Sequence, residues 1–245
     1  MIKVVVMATK ALVLALIALL VVSCQYSVNL GKGIKGSGTV VTQTRNLTES
    51  FKGIEVGTGI VVEVTQAPEV SVVVEADDNI INHIATEVHQ GVLSIISTEH
   101  IRSATIRKVK VSLPDVASLS ASSGSEIISK STLTSSKLDI KSSSGASVTV
   151  DAQAEYLFCT SSSGSDITVK GKALSLQTKS SSGSDIDAKG LLVNDVVATS
   201  SSGSSTKVNP IVSLEAEASS GSSIHYVTVP KTVSKKESSG GSVSN

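Results

Sequence analysis

The chain has 245 residues, with 46 serines and 18 glycines against five aromatics and no tryptophan. Basic and acidic side chains balance at 21 each, which removes the basic excess that phosphate binding needs and so argues against a nucleic-acid partner. Serine-rich, aromatic-poor chains are commonly disordered, yet 40% of these residues are hydrophobic, so there is a core to build from Val, Ile, Leu and Ala.

Residues 1–23 read as a signal peptide. Lys3 and Lys10 supply positive charge, and Ala11 to Val22 is an apolar run of 12 residues, shorter than a membrane span requires. The run ends Val21-Val22-Ser23-Cys24, which resembles a bacterial lipobox with Val at its first position. Cys24 is then the lipid attachment site, and the mature chain contacts a membrane through that lipid. Gln25, where Asp would retain a lipoprotein in the inner membrane, points to the outer membrane, on its periplasmic face or at the cell surface. Residues 24–38 are Gly-rich and lack apolar periodicity, so a tether is expected there. Within it, Gly31, Gly33 and Gly36 match a dinucleotide fingerprint by letter, but no strand-helix context accompanies them.

Residues 39–118 alternate apolar and polar without excess serine. Thr39 to Thr44, Phe51 to Val64, Val70 to Glu75, Val92 to Ile96 and Arg107 to Leu113 have the period of strands. Gly59 occupies a corner-like place. Asp77 to Ile84 predicts one helical turn with an Asp cap. This half is expected to form irregular turns that cover one end of a stack.

The serines fall into a repeat. Ser-Ser-Gly recurs with Gly at 124, 145, 164, 183, 203, 221 and 240, in steps of 21, 19, 19, 20, 18 and 19 residues. Apolar residues alternate on both sides: Leu138, Leu157 and Leu176 lie seven before a Gly, and Val148, Ile167 and Ile186 three after. Two short strands therefore flank each corner, with one face buried. A unit of this size cannot bury its own face, but copies stacked in parallel at about 4.8 Å can, and six steps span about 29 Å. Residues 119–245 are thus an all-β parallel helix of about 19 residues per turn. Glycine is expected to supply positive φ and close backbone approach at the corner, and stacked serines to satisfy one another. Cys159 falls in a core column with Ile140 and Ala198. The last turn shows no obvious cap, which predicts an end-to-end homodimer or a covering loop.

The segments Thr39 to Arg45, Phe51 to Val56, Glu75 to Ile80 and the repeated Ser-Ser-Gly-Ser resemble the auto-transporter adhesin, head GIN domain family, a domain of unknown function common in Bacteroidetes envelope proteins. The resemblance covers about residues 39–245. It implies a right-handed, pectin-lyase-like β-helix, here with Ser-Gly-Ser where the family's usual repeat is Ser-Gly-Ala-Ser-Asp. It implies adhesion by analogy and transfers no catalytic motif. The chain ends in a repeat, so no membrane barrel is expected to follow it.

Chemistry is sparse. His83, His89, His100 and His225 lack metal-ligand spacing, and no Gly-x-Ser-x-Gly elbow is present. Asp166 and Asp185 fall on adjacent turns, where they are solvated acids or the two sides of a cation site. Arg45, Arg102 and Arg107 all lie in the irregular half. No enzyme activity and no cofactor is expected. The reading is a lipid-anchored envelope β-helix with an adhesive or structural role and an unknown glycan or protein ligand. The alternative, polysaccharide binding or processing, rests on fold analogy.

Overall fold

The computed structural model describes Lys10 and residues 33–245. Apart from Lys10, the signal segment 1–23, Cys24 and most of the expected tether lie outside the described residues.

The repeats stack as coils in parallel register. One inward column runs Leu119, Ile140, Cys159, Thr178, Ala198, Ala216 and Lys235. Another runs Ile127, Val148, Ile167, Ile186, Thr206, Ile224 and Val243. Alternation puts each column's neighbours outside, so every coil buries its apolar face against the coils on either side. The interior is filled by Val, Ile, Leu and Ala, and among the described residues the buried aromatics are Phe51 and Tyr226. The two short strands expected around each corner stay separate there, but in the middle coils the strand after one corner runs on into the strand before the next: Ser147–Ser161 and Asp166–Ser180 are each one strand of 15 residues. Glu155 and Tyr156, exposed in succession, mark the bend in the first of these.

The first half joins the same stack out of chain order. Gly53–Val56 pairs in parallel with Ser118–Ala121 on one side and with the strand Val92–Ser97 on the other. Val61–Gln66 likewise lies between Glu126–Ser129 and Arg107–Leu113. The coil of residues 53–66 therefore sits second, above the coil of residues 92–113. Antiparallel strands finish that end. Ser71–Asp77 covers the free edge of Arg107–Leu113, Val40–Arg45 covers Ser71–Asp77, and Ile84–His89 pairs with Val92–Ser97. Paired edges are what this end needs, since bare strand edges invite association.

Two local expectations change. The turn at Ile81–His83 is 3₁₀, with Ile80 at its start and no side-chain cap. The His83 N–H closes it on the Ile80 carbonyl at 2.7 Å, and Asp77 closes only the preceding turn, its backbone carbonyl accepting from the Ile80 N–H at 2.8 Å. Its carboxylate points elsewhere. The segment 33–38 is also ordered: Ile34–Lys35 pairs with Ile101–Ser103, and Ile34 packs on the core. Gly36 is there for space, because a Cβ would lie 2.0 Å from Asp77 Oδ2.

Candidate functional site

The corner is a tight turn with two left-handed residues. The Ser before each Gly has φ between 47° and 56°, and the seven glycines lie between 65° and 78°. Consecutive positive φ values define a type I′ turn, which reverses the chain in two residues. Thr58 and Gly59 repeat it in the first half, at φ 58° and 70°. At the six glycines from Gly124 to Gly221 an added Cβ would meet nothing within 4 Å. The expected close approach is thus absent, and the backbone conformation alone selects glycine. The N–H of each of the first six corner glycines donates to the carbonyl of the left-handed Ser on the next coil, as Gly164 does to Ser182 at 3.1 Å. The ladder therefore continues through the corner.

The serine after the glycine is buried and works on the backbone. Ser184 Oγ accepts from the Ser181 N–H at 3.1 Å and donates to the Ser161 carbonyl on the preceding coil at 2.8 Å. Ser125, Ser204 and Ser222 repeat the inter-coil bond to Val56, Ser180 and Ser200. Direct hydroxyl pairing, expected throughout, is concentrated at Ser180, Ser200, Ser204 and Thr206, at 2.7–3.0 Å. Ser161 with Ser165 adds one further pair. The inward serines are thereby accounted for by folding. The left-handed serines Ser123 to Ser239 form an exposed row.

Asp166 and Asp185 are in register on adjacent coils, both exposed. They line a shallow open depression with Thr168, Asp187, Ser205 and Lys207. Asp187 is already paired with Lys189 at 2.9 Å. Among the described residues, no group of three or more His, Cys, Asp or Glu is placed to hold a metal ion. The four histidines are dispersed. His89 meets Glu87 at 3.2 Å and His225 meets Ser244 at 3.4 Å, both at the surface. Arg45 is structural, donating to the carbonyls of Ile81 and Ile84. Cys159 is buried, and burial, with the Asp139 charge, pushes its thiol up to about 12. A nucleophile needs the thiolate, so this cysteine is inert in the folded protein.

A surface that sequence reading missed lies at the bend away from the corner. Thr134 to Ser136, Gln153 to Glu155, Lys172 to Leu174, Leu192, Asn194 and Ile211 line an open cavity of about 550 Å³. Leu174, Leu192 and Ile211 are 55%, 46% and 42% exposed. Thr134, Ser135 and Ser136 are shared with a more polar neighbour that contains Lys137, Asp139 and the 2.9 Å ion pair of Lys52 and Asp115. Together they make a trench along the stack, charged at one end and apolar at the other. Its signal was present in the sequence as large apolar residues between inward positions of three successive repeats.

The family model described as "Putative auto-transporter adhesin, head GIN domain" matches residues 50–230. The chain belongs to this family. The head GIN domain fold also appears in solved structures. A "putative adhesin" from Bacteroides fragilis has TM-score 0.82 at 23% identity, covering 87% of this chain and 100% of its own. A "putative lipid binding protein" from Parabacteroides distasonis has TM-score 0.69 at 19% identity, covering 87% and 99%. A "putative adhesin" from Parabacteroides merdae has TM-score 0.69 at 19% identity, covering 86% and 98%. At these identities the likeness is one of fold. No curated protein matches the chain in sequence.

Proposed function

We propose that this head GIN domain protein is a non-enzymatic, lipid-anchored component of the cell envelope whose coil stack serves as an adhesive or structural head. The family match over residues 50–230 carries the reading, since that family is described as an adhesin head. The lipobox ending at Cys24 supports attachment through an N-terminal lipid. Outer-membrane residence follows from Gln25. The trench from Lys52 to Ile211 is the surface through which the head meets a ligand, because it joins exposed apolar side chains to paired charges.

Two measurements test this. Labelling cells with a radioactive fatty acid should mark the wild-type chain and not Cys24→Ser; equal labelling removes the anchor. Arrays of immobilised glycans and matrix proteins should retain the wild type and lose Leu192→Lys. Equal retention of both removes the trench, and retention no better than a scrambled control removes adhesion.

A second reading is favoured by Leu174, Leu192 and Ile211, whose exposure suits an apolar ligand. One solved structure of this fold bears the name of a lipid binding protein. Titration with a fluorescent fatty acid separates the readings: saturable binding abolished by Leu192→Lys supports a lipid ligand, and no binding excludes it.

A further inference from the structure

Among the described residues, the coil of residues 232–245 is the outermost of the regular stack. Its strands Thr232–Glu237 and Ser242–Ser244 pair inward with Pro210–Ala218 and Ser223–Tyr226. In a parallel ladder, successive residues bond alternately to the two neighbouring strands. The Ser242 N–H donates inward to the Ser222 carbonyl at 3.0 Å. The N–H and C=O of Val243 therefore face the open side, where a further strand would bond.

Both groups are already occupied. The Glu237 carboxylate accepts from the Val243 N–H at 2.5 Å, and the Lys235 ammonium donates to the Val243 carbonyl at 3.1 Å. Together they reproduce the donor and acceptor that an added strand would offer. Their positions are unusual. Lys235 stands in the inward column that holds Leu119, Ile140, Cys159, Thr178, Ala198 and Ala216 below it. Glu237 stands in the column of Ala121, Ser142, Ser161, Ser180, Ser200 and Ala218. Only this coil places charge at either position. Lys235 also lies 4.8 Å over the ring of Tyr226, so its stem and charge cover the core.

We propose that Lys235 and Glu237 form a polar plug that closes this end of the solenoid against a second copy of the same chain. An incoming strand would have to displace both side chains and bury two charges, which is costly without full replacement of their bonds. Inward-pointing charges on an edge are a recognised defence against strand addition. The partner that fits the unplugged edge is another copy, whose outermost coil has the same backbone spacing. The opposite end of the stack is covered by antiparallel strands. Two unplugged copies therefore meet through this one edge in a closed two-fold pair, and no filament grows.

The test uses the full chain, with Cys24→Ser in every sample so that no lipid affects the mass. Sedimentation velocity over rising concentration should show the parent as a monomer. The double variant Lys235→Val, Glu237→Val should shift to twice the monomer mass. A folded double variant that stays monomeric overturns the proposal, and so does one that forms long filaments. If the double variant does not fold, amide exchange in single variants decides. The Val243 amide should lose protection in Glu237→Ala and keep it in Glu237→Gln, which retains the acceptor. Equal exchange in the two overturns the plug.

Discussion

The Ser184 hydroxyl donates to the carbonyl of Ser161 on the preceding coil, 2.8 Å away, while it accepts from the N–H of Ser181 in its own corner. One side chain thus fastens a turn and joins two coils. The Ser161 carbonyl also accepts from the Ser181 N–H at 3.1 Å, so loss of the hydroxyl leaves that carbonyl one partner. Ser184→Ala should destabilise by about 1 kcal/mol, the net worth of an ordinary buried hydrogen bond. Ala146 fills the same place one repeat away from Ser125 and Ser165, and Ala146→Ser should shift stability the other way. Urea midpoints at an unchanged slope are the measurement.

Gly183 and Gly171 both have positive φ, at 67° and 116°, but their surroundings differ. A Cβ at Gly183 reaches open space, whereas one at Gly171 would lie 2.1 Å from the Ala152 carbonyl oxygen. Gly183→Ala should cost about 1–2 kcal/mol, the left-handed penalty alone. Gly171→Ala should cost more, because backbone must move as well. Thermal unfolding of the two variants checks the order, and a reversed order would contradict the geometry.

Thr178 Oγ1 is buried without a hydrogen-bond partner. Its register neighbours are Cys159 and Ala198. Thr178→Val keeps the shape and removes an unsatisfied group, so it should stabilise by about 1 kcal/mol. A loss of stability in thermal or urea unfolding would show that the hydroxyl has a partner in solution, such as a bound water.

The Asp77 side chain is fully buried. Burial pushes its carboxyl up, but donors from Gly38, Ile106 and Thr105 outweigh this and hold it below the usual carboxylate range. A depressed folded pKa adds stability that is complete above the unfolded value, about 4, and is lost as pH falls through the folded value. Unfolding free energy followed from pH 7 into acid should decline in that window. Asp77→Asn should be less stable at pH 7 and show a flatter acid decline, since an amide cannot accept from all of these donors.

Much of the architecture can be read from the chain. Period-two alternation and the Ser-Ser-Gly spacing are local and repeated, so they announce coils, their number and the corner that joins them. The same repetition explains why Cys159 reads correctly as a core residue. Other features were hidden. Asp77 looks like a helix cap because Asp-Asp-Asn before an apolar run has that pattern; four donors from three distant residues claim it instead. Gly36 looks like flexible linker and is packed against Asp77. The trench was missed because an outward Leu is unremarkable in a single repeat. It becomes a surface only when Leu174, Leu192 and Ile211 come together on neighbouring coils.

By itself the sequence determined the solenoid, the type of its core and the place of its corners, because short-range alternation and turn chemistry decide these. The tertiary structure decided the order of the first coils, with residues 53–66 inserted above 92–113. It also decided which serines face inward to bond a neighbouring coil, and that Lys235 and Glu237 close on Val243. Each of these depends on register between segments far apart in the chain, and pairing of backbone edges fixes that register only when the whole stack is assembled.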